Sequence, residues 1–205
     1  MKILCFSDLH CDVEAATDLV RRAADVDLVI GAGDFCNRHQ GLADTLDVLA
    51  AIEKPAALVP GNAETVEELR VAASDWVSAV VLHGGGTEVH CGDQTVSLWG
   101  VGGGIPVTPF GDWSYDFDEQ QATTMLADCP PGALLVTHSP PIDTVDHDQS
   151  GQIRGSMAIR DCVQRCQPPL AVCGHIHSDW EKQVRMGPSL ILNAGPRGVL
   201  VDLDL

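Results

Sequence analysis

Five short apolar runs in this chain each break at a polar cluster. KILCF runs into SDLH at 7–10, LVIGA into GD at 33–34, AALVP into GN at 61–62, ALLV into THSPP at 137–141, and LAVC into GHIH at 174–177. Runs of four or five Leu, Val, Ile and Ala residues are too short for helices and read as strands buried on both faces. Helical patterns over 12–24, 41–52 and 63–73 separate the first runs, which makes a βαβαβα beginning. Each cluster therefore falls at the carboxyl end of a strand, where open α/β sheets bind ligands.

From AVVLHGG onward the pattern changes. TEVHCG and QTVSLWGVGG flank Gly92-Asp93, a hairpin signal with no intervening helix, so part of the sheet structure is expected to be antiparallel. The glycine run after His83, Gly84 to Gly86, reads as a turn. Helices are expected near 118–128 and at 156–166, the latter opened by Ser156 as N-cap, and LILNAG and GVLVDLDL supply closing strands. With no internal repeat, low-complexity tract or linker, residues 1–205 are expected to form one domain.

Charge limits the partners. The chain carries 29 Asp and Glu against 12 Lys and Arg, a formal charge of -17, and no basic run, which opposes nonspecific binding to a nucleic-acid backbone. No stretch reads as a signal peptide or a membrane span. The eight cysteines form no C-x-x-C, and several lie within apolar runs as small hydrophobes, so a reducing cytoplasm is expected.

The chemistry sits in the clusters. Asp8, His10, Asp34, Asn62, His138, His175 and His177 offer carboxylate, amide and imidazole donors but no thiolate spacing. That mixture suits borderline divalent cations such as Mn, Fe, Ni or Zn, and seven donors are enough for two of them. Two cations about 3.5 to 4 Å apart can generate a hydroxide and stabilise in-line displacement at phosphorus. No G-x-S-x-G marks a serine nucleophile.

The ordered set D-x-H, G-D, G-N, H and G-H-x-H, from Asp8 to His177, resembles that of the calcineurin-like metallophosphoesterases. The resemblance implies an α/β fold, a four-layer sandwich of two mixed β-sheets flanked by helices. It also implies two divalent metal ions, one held by Asp8, His10 and His177, the other by Asn62, His138 and His175, with Asp34 bridging them. Arg38, four residues after Asp34, matches an arginine that grips phosphate in similar phosphatases; its alternative is a solvated loop residue. The implied activity is a phosphoesterase on a small phosphoester, with diesters favoured because the chain is short and has no large cap insertion. A protein-binding scaffold of the same fold with little catalysis, or a phosphomonoesterase, is the alternative.

One departure stands out. Relatives reading G-N-H-D or G-N-H-E place a histidine after Asn to assist the leaving group, with a carboxylate beside it; here those positions are Ala63 and Glu64. Without that histidine, metals, water or the nearby His39 must serve, though His39 and Arg154 otherwise read as surface residues. His83, His90 and His147 match no motif and read as ordinary surface or loop histidines. The loop 101–118 holds Phe110, Trp113, Tyr115 and Phe117, four of nine aromatics, either as a lid over substrate or as a hydrophobic plug. Cys162 and Cys166, one helical turn apart, are expected to be buried on an apolar face.

Overall fold

A computed structural model describes residues 1–92 and 94–204. In chain order, β1 (Lys2–Phe6), α1 (Val13–Ala23), β2 (Leu28–Ala32), α2 (Leu42–Leu49), β3 (Ala56–Val59), α3 (Val66–Ala72) and β4 (Ala79–Val81) form the first half. The second half comprises β5 (Gly85–Cys91), β6 (Gln94–Val101), α4 (Glu119–Leu126), β7 (Leu134–Thr137), α5 (Met157–Cys166), β8 (Leu170–Cys173), β9 (Gln183–Met186), β10 (Ser189–Asn193) and β11 (Val199–Asp202). One sheet has the order β11-β1-β2-β3-β4 and the other β5-β6-β7-β8-β10-β9. Both are mixed: β1 to β4 run parallel with β11 antiparallel, and β6, β7, β8 and β10 run parallel with β5 and β9 antiparallel at the edges.

The two-residue period of the strands separates three apolar layers. On β1, Ile3 and Cys5 face the other sheet, where they meet Leu134, Val136, Leu170 and Val172. Leu4 and Phe6 face the opposite way and pack under Leu19, Leu46 and Leu69 of α1, α2 and α3. On the far side of the second sheet, Leu135 and Ala171 pack beneath α4 and α5. The result is the expected four-layer sandwich, helices outside two sheets. Leu19 has no exposed surface, and its truncation to Ala would cost roughly 2–5 kcal/mol.

Local signals place the helices. Asp12 caps α1 by accepting the N–H of Ala15 at 2.9 Å, and Ser156 caps α5 by accepting from Ile159. Helix α3 begins at Val66 rather than 63, because Thr65 and Glu68 form a reciprocal capping box there. Asn62 consequently lies in the turn before the helix. Of the glycine run, Gly84 turns with φ of 65°, whereas Gly85 and Gly86 already open β5, so the turn is shorter than expected. The hairpin pairs Cys91 with Gln94 across Gly92, whose φ is 62°; Asp93 lies outside the described residues. Strand β9 went unread in the sequence, since QVRM is largely exposed and lacks an apolar pattern. Among the described residues, no helix is long and apolar enough to cross a membrane.

Candidate metal centre

All seven ligand candidates converge at the carboxyl ends of β1, β2, β3, β7 and β8. Oxygen and nitrogen atoms of Asp8, His10 and His177 lie within 4.8 Å of one another, as do those of Asp8, Asp34 and His138. The carboxylate of Asp34 divides between two groups of imidazoles: Oδ2 lies 3.5 Å from His10 Nε2, and Oδ1 lies 3.5 Å from His138 Nε2. Asn62 Oδ1 is 3.2 Å from His138 Nε2. The His175 ring stands edge-on to that of His138, with centroids 5.0 Å apart.

Surrounding groups fix the faces these ligands present. His138 Nδ1 donates to Ala32 O at 2.7 Å and His10 Nδ1 to Cys36 O at 3.2 Å, which leaves each Nε2 free as a donor toward a cation. Asp8 Oδ2 accepts from Ser7 Oγ at 2.5 Å and from Trp180 Nε1 at 3.1 Å. Asn62 Nδ2 donates to Ser114 Oγ, which in turn donates to Asp116 Oδ1 at 2.8 Å. Trp180, Ser114 and Asp116 went unnoticed in the sequence because Trp180 and Ser114 reach their ligands from distant segments, Trp180 from 172 residues away, and Asp116 acts through Ser114.

The backbone supports the same grouping. Asp8, His10, Asp34 and His175 have φ of 54°, 46°, 58° and 69°, a left-handed conformation that costs side-chain-bearing residues on the order of 1–3 kcal/mol each. Such strain concentrates at functional sites. Gly61 is required by close approach: a side chain there would collide with the Asp34 carboxylate.

The carboxylates and imidazoles of the site shift one another's protonation. Burial pushes the Asp34 carboxyl up, but His138, His10 and His175 outweigh it and hold the group below the ordinary carboxylate range. Burial pulls His138 down, yet the charges of Asp34 and Asp8 carry it up to about 9. His175 is pushed down to about 4 by burial and by His138. His10 Nε2 and His177 Nε2 lie 3.3 Å apart, two nitrogens aimed at one place. A divalent cation satisfies both lone pairs and the adjacent carboxylates, so the residues present fit a metal.

Beside the ligands lies a cleft of about 880 Å³, lined by His10, Asp34, Asn62, His175 and His177 on one side. Val107, Phe110, Ile153 and Met157 form an apolar side, each about half exposed or more. Arg38 lines the cleft with its guanidinium 4.8 Å from the centre of the Trp113 ring. Arg154, exposed as its surface reading expects, also lines the cleft, with its Nε bound to Asp148 at 2.8 Å. The loop 101–118 divides between its two expected roles. Phe110 stacks on Trp113 at the cleft, while Tyr115 and Phe117 tuck against His83.

Three readings require correction. His83 is no ordinary surface histidine: it accepts the N–H of Gly102 at 3.1 Å, and burial lowers its pKa. Glu64 is not held in reserve beside an absent histidine. It is fully buried and accepts N–H groups from Gly61 at 2.7 Å and Asp34 at 2.9 Å. His39 is unavailable as a proton donor to substrate, because Nδ1 binds Glu68 at 2.8 Å and Nε2 binds Trp113 O at 2.7 Å. His90 and His147 are exposed and outside the cleft lining.

Carboxylates, an amide and imidazoles gathered at strand ends, beside a cleft with a free guanidinium, define the site of a metal-dependent hydrolase. The chain belongs to the calcineurin-like phosphoesterase family, whose sequence profile matches residues 1–179, and it is a metal-dependent phosphoester hydrolase. Its fold is similar to that of the protein TT1561 of Thermus thermophilus, 20% identical, with a TM-score of 0.73 over 95% of this chain and 88% of that one. It is also similar to a phosphopantetheinyl hydrolase from Mycobacterium tuberculosis, 16% identical, with a TM-score of 0.62 over 95% and 88% of the two chains. A novel archaeal phosphodiesterase is 15% identical, with a TM-score of 0.54 over 95% and 84%. At these identities the likeness is one of fold. No curated protein matches the sequence.

Proposed function

We propose that residues 1–205 act as one catalytic domain, a phosphodiesterase with a dinuclear centre of Mn, Fe, Ni or Zn. Asp8, His10 and His177 hold one ion, Asn62, His138 and His175 the other, and Asp34 bridges. The observation that carries this reading is the Asp34 carboxylate, with one oxygen toward His10 and the other toward His138. Bound there, two divalent cations supply a nucleophile at neutral pH and neutralise charge developing on the phosphoryl oxygens.

The chain's own groups set the rest. Arg38 is free to take one phosphoryl oxygen or two in a bidentate grip, since no carboxylate among the described residues pairs with it. Its stacking on Trp113 keeps the guanidinium at the cleft wall. Ser114 and Asp116 orient the Asn62 amide so that its oxygen faces His138.

Diesters are favoured over monoesters on shape. The apolar side formed by Phe110, Ile153 and Met157 suits an organic substituent beyond the phosphate. Eight cysteines, none in a disulfide among the described residues, accord with a reducing cytoplasm. The test is hydrolysis of bis(p-nitrophenyl) phosphate against p-nitrophenyl phosphate by the Mn-loaded protein. A kcat/KM at least about tenfold higher for the diester supports the reading; the reverse preference makes the protein a monoesterase.

A further inference from the structure

Away from the cleft, on the outer side of the second sheet, three cysteine sulfurs meet between α4 and α5. Cys162 and Cys166 stand one turn apart on α5, and Cys129 comes from the segment after α4. Their sulfurs all lie within 4.8 Å of one another, and Cys162 Sγ and Cys166 Sγ are 3.9 Å apart. All three are buried, with 2%, 2% and 1% exposure for Cys129, Cys162 and Cys166. The function proposed above uses none of them.

We propose that Cys129, Cys162 and Cys166 form a three-sulfur site for Cu(I). Three sulfurs at about 2.3 Å from a central ion stand about 4 Å from one another, and the Cys162–Cys166 separation already has that value. Soft thiolates select Cu(I), which is satisfied by few donors, whereas a structural zinc site wants a fourth ligand. No fourth His, Cys, Asp or Glu joins the group among the described residues. A disulfide needs sulfurs about 2.0 Å apart, and the observed separation is far longer.

The neighbours favour one ionised sulfur, that of Cys162. Arg165 Nη2 lies 3.8 Å from Cys162 Sγ while also donating to Leu126 O, so a fixed guanidinium offsets negative charge at the cluster. Hydrogen bonding from Cys129 and Cys166, then the charge of Arg165, draws the Cys162 thiol down to about 7 against the opposing effect of burial. Hydrogen bonding to Cys162 and burial push Cys129 up, and burial and the charge of Cys162 push Cys166 up, so those two protons leave only as the ion binds. Each S–H that becomes an S–Cu bond gives its proton to solvent, and copper remains Cu(I) throughout. Access runs past Cys129, which is flanked by the exposed residues Asp128, Pro130 and Pro131.

The test uses the reduced full chain under anaerobic conditions, with Cu(I) offered as its bathocuproine disulfonate complex. Transfer of one Cu(I) per chain is expected, with sulfur-to-copper absorption in the ultraviolet and a sulfur-only shell by X-ray absorption. A variant with C129A, C162A and C166A should take up none at this site. In the unmodified protein, Cu(I) loading should protect Cys129, Cys162 and Cys166 from alkylation during partial unfolding and leave Cys5 and Cys173 as reactive as before. No transfer, a shell dominated by nitrogen or oxygen, or unchanged alkylation of the three cysteines would overturn the proposal.

Discussion

The buried carboxylate of Glu64 accepts the backbone N–H of Asp34 at 2.9 Å, and the same oxygen accepts that of Gly61 at 2.7 Å. One side chain thus ties the turn that carries Asp34 to the turn that carries Asn62. Burial and the charge of Asp34 push Glu64 up to about 7, against the pull of the Gly61 N–H. Glu64→Ala should leave both amides buried without an acceptor, at about 1–3 kcal/mol each. We predict a lower melting temperature for the metal-free protein and weaker metal binding, with no such effect from Glu67→Ala on the exposed side of α3. An unchanged melt would show that the two turns hold together without Glu64.

Arg38 should act on substrate more than on fold, because it is exposed and lies over the Trp113 ring. Arg38→Ala is expected to raise KM for a phosphodiester and to weaken competitive inhibition by inorganic phosphate, each by roughly tenfold, a loss of about 1.4 kcal/mol. Arg38→Lys should recover only part of this, since an ammonium cannot make the bidentate grip. Equal KM values in all three proteins would return Arg38 to the solvent.

His39 predicts a pH-dependent loop. Both of its nitrogens face oxygen acceptors, Glu68 and the carbonyl of Trp113, so the charged ring makes both bonds. Hydrogen bonding to Glu68 raises its pKa above 6.5, and the effect of burial opposes this. The tether is therefore complete below the ordinary histidine range and is lost as pH rises through the raised value. Amide hydrogen exchange over residues 108–116 should accelerate across that rise, after correction for intrinsic rate. Glu68→Gln should move the midpoint to lower pH; a midpoint that does not move would separate the loop from His39.

Ala63 is 2% exposed and packs with the first apolar layer, which leaves no room for an imidazole. Ala63→His is predicted to destabilise the fold by overpacking, by about 1–3 kcal/mol, and not to restore a proton donor. General acid assistance contributes about 10² to 10⁴ in rate, and neither Ala63 nor the doubly bonded His39 supplies it. The rate should therefore depend steeply on leaving-group pKa, with aryl diesters cleaved far faster than alkyl ones. A shallow dependence across a series of phenols would reveal another acid in the cleft.

Much of this was legible in the chain because the decisive features are local. Apolar runs ending in D-x-H, G-D, G-N and G-H-x-H identify strand ends, and Ser156 announces the start of α5. Thr65 and Glu68 also spelled out the α3 cap, but Asn62 drew the boundary three residues too early. What could not be read was long-range. Glu64 looks like the partner of its sequence neighbour, yet it serves a turn 30 residues away, and although His177 shares a site with Asp8, nothing in the sequence marks Trp180 itself as a donor to that carboxylate. The three-sulfur cluster needed the packing of α4 on α5 to bring Cys129 to the helix pair.

The most direct measurement is a metal titration of the chelated, metal-free protein, with bound metal and hydrolysis of bis(p-nitrophenyl) phosphate followed on the same samples. The account predicts no activity without metal, recovery as two Mn per chain bind, and loss of about 10² or more in rate with Asp34→Asn, whose amide cannot neutralise two cations. Full turnover by the metal-free protein, or two metals and full turnover retained by Asp34→Asn, would contradict it.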